Sequence, residues 1–134
     1  MVDFGEGQRR IAFKVIGYEF DVATDRYDKN WLKVEIVGRG EQAGKQVQSA
    51  ALLTWELRKL RSFISSGVDG DRLDFMEPEL EFRCCGGVIF VDLRYGLRLR
   101  SSTVVDTYAQ NCSQVWKDHA LKALDDLCEI YPVR

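Results

Sequence analysis

Hydrophobic and polar positions alternate most regularly on the two sides of Gly86-Gly87. Two successive glycines between strand-like runs favour a two-residue turn, because glycine reaches positive φ without a steric penalty. This turn sets the register, so that Leu80 lies opposite Leu93 and Phe82 lies opposite Val91. The pattern therefore predicts a β-hairpin with one apolar face directed into the core.

The opposite face of the predicted hairpin is charged. It carries Glu77, Glu79 and Glu81 in a row, and the same register places Glu81 across from Asp92. Because an ionised carboxylate is costly to bury without a partner, we expect water or a basic partner to meet these charges.

Further alternating runs predict more strands. In the first run the inward parity changes at Gly17, where a β-bulge would switch the buried face of a strand that extends to Val22. After the hairpin, alternation continues to Leu99 and predicts one long strand. The other predicted strands cover residues 31–37, the region around 46–53, and residues 103–108.

Two segments have the periodicity of amphipathic helices. Thr54 is predicted to cap the first helix, which ends at Gly67, and Asn111 or Ser113 to cap the second, which ends at Pro132. Because the strands are grouped rather than alternating with helices, the predicted fold class is α+β. We expect an antiparallel β-sheet of about six to seven strands, with one central and one C-terminal helix packed on one face.

Composition changes this picture little. The chain has 134 residues, a formal net charge of −2 and no long linker, so a single domain over 1–134 is predicted. It shows neither a signal-peptide core nor a membrane-length apolar run, and we expect a cytoplasmic protein. The four cysteines lack paired CxxC spacing, so free thiols are expected, with no metal and no cofactor.

The sequence contains no complete catalytic constellation. His119 is the only histidine, and neither a nucleophile motif nor a phosphate-binding glycine loop accompanies it. A small enzyme that uses Glu79, Glu81 or Asp92 is therefore the weakest alternative. No small-molecule substrate is expected.

The strongest local charge bias lies between Asp69 and Glu81, where six acidic residues surround the single Arg72. Such a patch can steer association with a basic protein surface. Arg83 and Arg94 are expected to hold Glu81 and Asp92 ionised in a surface network. The predicted partner-binding residues are Asp69, Asp71, Asp74, Glu77, Glu79, Glu81 and Asp92.

A rival basic patch is formed by outward arginines that follow the hairpin. Because these arginines are interleaved with acidic residues and the net charge is slightly negative, direct binding of nucleic acid is not favoured. The patch consists of Arg83, Arg94, Arg98 and Arg100.

Four short motifs occur in order along the chain: DKNWLKV at 28–34, TWEL at 54–57, MEPEL at 76–80 and YPVR at 131–134. In this order and spacing they resemble the WapI-like family of bacterial immunity proteins. The resemblance implies a protein that binds and neutralises a toxin delivered between competing bacteria. Our leading hypothesis is that it acts by occluding the toxin's active site or substrate surface. The alternative is an interaction module with no toxin partner. The resemblance supplies no binding residues.

Overall fold

The computed structural model describes all residues, 1–134, and contains eight β-strands and two α-helices. The first sheet consists of β1 (Val2–Glu6), β2 (Arg9–Tyr18), β3 (Trp31–Gly40) and β4 (Gln46–Leu53). Helix α1 (Thr54–Ser66) leads into the second sheet, and α2 (Gln114–Ile130) follows that sheet. The second sheet consists of β5 (Arg72–Asp74), β6 (Leu80–Cys85), β7 (Val88–Arg94) and β8 (Val105–Asn111).

The predicted α+β class, with a central and a C-terminal helix, is confirmed, but the single sheet is wrong. The eight strands form two four-stranded antiparallel sheets, each in chain order. The two sheets separate because α1 stands between β4 and β5. The strand count exceeded the prediction because β1 and β5 are short, and β5 directs only Leu73 towards the core.

One hydrophobic core of 23 buried residues joins the sheets and helices. The rings of Phe4 on β1 and Phe82 on β6 meet with centroids 5.5 Å apart, which connects the inner faces of the two sheets. Leu60 of α1 and Leu124 of α2 are fully buried in the same core. Neither helix is long and apolar enough to cross a membrane.

The hairpin around Gly86-Gly87 has the predicted register. Leu80 pairs with Leu93 and Phe82 with Val91, and all four side chains are buried. Gly86 and Gly87 have φ values of +60° and +75°, the combination that a type I′ turn requires at its two central positions.

The bulge at Gly17 is also confirmed, because the pairing of β2 with β3 shifts between Val15 and Gly17. The prediction that the strand continues to Val22 is wrong. Pairing stops because β3 begins at Trp31, which leaves no strand opposite the residues after position 19. Phe20 and Val22 are consequently 42% and 90% exposed.

The predicted long strand to Leu99 is wrong as well. β7 ends at Arg94, and a 3-10 turn over Tyr95–Leu97 follows it. The fully buried Asp106 carboxylate accepts the backbone N–H groups of Leu99 and Arg100 at 2.8 and 2.7 Å, which holds the chain away from the sheet. The last strand accordingly begins at Val105 rather than at residue 103.

The predicted N-terminal cap is confirmed for only one of the two helices. Ser113 caps α2 by accepting the Trp116 N–H at 3.2 Å, but Thr54 does not cap α1. Its hydroxyl donates instead to Asn30 Oδ1 at 2.8 Å, and the Glu56 carboxylate accepts the N–H of Leu53 at 3.0 Å. The partner of Thr54 is supplied by the tertiary fold, whereas Glu56 caps the helix from its own first turn.

Candidate partner-binding surface

The acidic segment 69–81 begins in the loop after α1 and runs along the β5 edge of the second sheet. Register places its charged side chains in rows on the outer face, with Arg72 opposite Arg83 and Asp74 opposite Glu81. Glu81 in turn lies opposite Asp92. The fold thus brings acidic and basic residues together on one face.

Asp92 is only 3% exposed, so the prediction that it is presented to solvent or a partner is wrong. Its carboxylate accepts hydrogen bonds from Arg83 Nε and Nη2 at 2.9 and 3.1 Å, and from the Thr107 hydroxyl at 2.8 Å. Burial by itself raises the pKa of Asp92, but these hydrogen bonds and the charges of Arg83 and Arg94 outweigh burial and lower it. Asp92 therefore stays ionised beneath the surface.

Glu81 is held between two arginines. Its carboxylate lies 2.6 Å from Arg72 Nε and 3.3 Å from Arg94 Nη1, and its side chain is 16% exposed. The prediction that arginines of the chain occupy Glu81 and Asp92 in a network is confirmed, and Arg72 extends that network. The carboxylates of Glu81 and Asp92 are consequently paired with arginines of the same chain.

Three other predicted residues shape the local backbone or connect the two sheets. The Asp69 carboxylate accepts the Gly86 N–H at 2.7 Å, and the Asp71 carboxylate accepts the Val68 N–H at 2.9 Å. Glu79 accepts the Ser49 hydroxyl at 2.6 Å. These three carboxylates therefore have structural partners.

Asp74 and Glu77 differ from the other five predicted residues. Their carboxylates form no hydrogen bond or ion pair within the chain, with Asp74 exposed and Glu77 half-buried. They are the members of the predicted set whose charges are available to a partner.

Glu77 also lies at a groove that sequence reasoning missed. The groove has a volume of about 260 Å³ and lies where the segment after β2 approaches the start of β3 and the centre of β4. The available signal was the mixture of acidic and aromatic residues over 19–31, which was interpreted in part as a strand. The 19–31 groove is lined by Glu19, Phe20, Asp28, Trp31, Ala50 and Glu77.

Arg134 fixes the segment that forms this groove. Its guanidinium donates to the carbonyl oxygens of Phe20 and Lys29, both at 2.7 Å, and lies 3.9 Å from the centre of the Tyr18 ring. The Arg134 N–H also donates to the buried Asn30 Oδ1 at 2.8 Å. The irregular segment is thus held in one conformation.

His119 is exposed on α2, and no three His, Cys, Asp or Glu side chains converge as metal ligands. The cysteines are unbridged, with Cys85 exposed and the other three half-buried.

Comparison with known proteins gives one match. The family model of the WapI-like immunity protein family matches residues 2–132, including the N-terminal strands that precede the four sequence motifs. No curated protein and no solved structure matches the chain. Because the matched region covers nearly the whole chain, the protein belongs to the WapI-like immunity protein family.

Proposed function

We propose that the protein binds a cognate toxin in the cytoplasm and neutralises it by occluding its active site or substrate surface. Its membership in a family of immunity proteins supports this function. In this proposal the protein acts by binding alone, without catalysis or a cofactor.

The proposed contact surface is the acidic edge of the second sheet, from Asp69 to Glu81. One observation carries this choice: the carboxylates of Asp74 and Glu77 are unpaired, whereas the arginines of this edge are already paired with Glu81 and Asp92. The seven predicted carboxylates outnumber the three nearby guanidinium groups of Arg72, Arg83 and Arg94, which leaves four negative charges. Such a field attracts the basic surface that a toxin acting on nucleic acid uses to hold phosphates.

Within this surface the residues have different proposed roles. Asp74 and Glu77 contact the toxin directly, whereas Glu81 and Asp92 act by fixing the arginines around them. Reversing Glu81 to Lys would place an ammonium group between Arg72 and Arg94, so that substitution disturbs the fold as well as the charge. The charge-reversal test is therefore made at Asp74 and Glu77, whose carboxylates have no partner within the chain.

The test pairs the protein with the toxin domain encoded beside its gene. We expect Asp74→Lys/Glu77→Lys to slow association at low salt by about tenfold and to abolish protection in cells. The matched control is Asp3→Lys/Glu129→Lys, which makes the same charge change at exposed carboxylates outside the surface. Stopped-flow association at two salt concentrations gives the rates, and circular dichroism checks the fold.

The outcomes of this test distinguish the proposed function from the alternative function and the proposed surface from other surfaces. Wild-type protein that neither binds nor protects against this toxin would favour the interaction module without a toxin partner. Protection by the wild type together with unchanged association of the Asp74/Glu77 variant would move the interface elsewhere, with the α1 face around Trp55 tested next.

A further inference from the structure

We infer that the 19–31 groove receives an arginine or lysine side chain of the toxin. This inference rests on the proposed function and deepens it, since it adds a specific pocket to a charged surface. Glu77 belongs both to the groove and to the acidic edge, so the two form one continuous surface.

The groove is apolar where a long cationic side chain needs contact. Phe20 is 42% exposed although its aromatic ring would ordinarily be buried, and Trp31 and Ala50 line the same groove. Lysine and arginine carry apolar stems that pack on such surfaces, and their charged groups interact favourably with aromatic faces. The groove thus offers contact along the length of a basic side chain.

The charges around the groove also favour a lysine or arginine side chain. The carboxylates of Glu19, Asp28 and Glu77 form no ion pair or hydrogen bond within the chain, in contrast to those of Glu81 and Asp92. An incoming cation therefore finds three carboxylates without first displacing an internal partner.

Basic groups of the chain lie nearby but form no ion pair with the groove carboxylates. The Arg26 guanidinium lies 4.8 Å from the Trp55 ring centre, and that of Arg134 covers Tyr18. Lys33 is opposite Ala50 in the strand register, and neither it nor Lys29 is within ion-pair distance of a groove carboxylate. The groove carboxylates therefore remain available to a basic side chain of a partner.

The groove is also preorganised. Arg134 and the buried Asn30 hold the backbone from Phe20 to Asn30 through the hydrogen bonds described above. Binding to a preformed pocket loses less conformational entropy than binding that must order a loop. An exposed aromatic ring on a fixed backbone is the arrangement expected of an interface anchor.

The test neutralises two groove carboxylates outside the acidic edge. Glu19→Gln/Asp28→Asn keeps the side-chain shapes, and Asp3→Asn/Glu129→Gln is the control with the same charge change. We expect the groove variant to bind the toxin domain at least about tenfold more weakly by calorimetry, and the control to match the wild type. As a direct probe, N-acetyl-arginine amide should shift the NMR signals of the Trp31 indole N–H and the Ala50 amide.

The neutral isostere N-acetyl-citrulline amide should leave those signals in place, as should arginine amide with the groove variant. Undiminished toxin affinity of the groove variant, or equal shifts with both amides, would overturn the inference while the proposed function stands. If the wild type binds no toxin, the proposed function fails, and the arginine-specific shift alone then decides whether the groove recognises cations.

Discussion

Arg83 on β6 and Asp92 on β7 are diagonal neighbours across the hairpin and form an ion pair with two hydrogen bonds, Nε to Oδ2 at 2.9 Å and Nη2 to Oδ1 at 3.1 Å. The same guanidinium lies 5.0 Å from the centre of the Phe90 ring. Asp92 is buried while Arg83 is partly exposed, so the carboxylate depends on this pair more than the arginine does.

Removing the Asp92 carboxylate should therefore reduce stability. We expect Asp92→Ala to lower the free energy of unfolding by about 2–3 kcal/mol, because Arg83 and Thr107 lose a charged acceptor in a mostly buried position. Asp74→Ala, which removes an unpaired exposed carboxylate, should stay within about 0.5 kcal/mol of the wild type. Urea unfolding followed by tryptophan fluorescence measures both variants, and equal losses would contradict the structural role.

Acid should destabilise the protein through Asp106. Burial by itself raises the pKa of Asp106, but hydrogen bonds from Arg100, Thr103 and Leu99 outweigh burial and lower it. A lowered folded-state pKa gives stability that is present above the unfolded value of about 3.9 and is lost as pH falls towards the folded value. Unfolding measured between pH 5.5 and 2.5 should show this loss, with a smaller slope for Asp106→Asn. Parallel curves would contradict the assignment.

Substitution of the two turn glycines, Gly87 by alanine and Gly86 by asparagine, should change the stability of the protein by different amounts. Gly87→Ala should destabilise by about 1–2 kcal/mol, because alanine is strained at a φ of +75°. Gly86→Asn should be nearly neutral, since asparagine accepts a φ near +60° and precedes glycine in natural type I′ turns. An added Cβ meets no atom within 4 Å at either position, so steric contact with the rest of the chain contributes to neither effect. Thermal unfolding measures it, and equal effects would contradict the turn geometry.

Loss of Arg134 should loosen the groove segment without unfolding the protein. We expect Arg134→Ala to speed amide hydrogen exchange between residues 19 and 30, because three backbone carbonyl groups in that stretch lose a donor. Arg134→Lys should not restore protection, since an ammonium group cannot reproduce the planar set of donors. Lys122→Ala on α2 is the control. Unchanged exchange in Arg134→Ala would contradict this role.

Local pattern predicted the parts of the fold that depend on neighbours in sequence. Leu80 and Leu93 were paired correctly because the Gly86-Gly87 turn sets their register. Phe20 was placed wrongly, because its alternation with Tyr18 continues although β3 offers no residue to pair with it. The end of β7 was also missed, since it depends on Asp106, a residue 12 positions further along the chain.

The candidate surface was predictable only as a charge bias. Composition predicted the acidic segment, and the nearby arginines of the hairpin predicted the contact of Glu81 with Arg94. Which carboxylates remain free depends on partners distant in sequence, as Ser49 shows for Glu79. The acidic and aromatic residues over 19–31 were the only sequence signal for the groove, and they could not predict that Glu77 completes it, because Glu19 and Glu77 meet only through the tertiary fold.

The placement of β1 has a consequence for the order of assembly during synthesis. Trp116 Nε1 donates to the Asp3 carbonyl at 2.7 Å, the Gly5 N–H donates to Gln110 Oε1 at 3.1 Å, and the Trp116 ring covers Phe4. β1 thus waits for residues that are synthesised 105 and 113 positions later before its exposed side is closed. A nascent chain interrupted before α2 leaves Phe4 without the cover of the Trp116 ring, and such exposed apolar surface is what chaperones and proteases recognise.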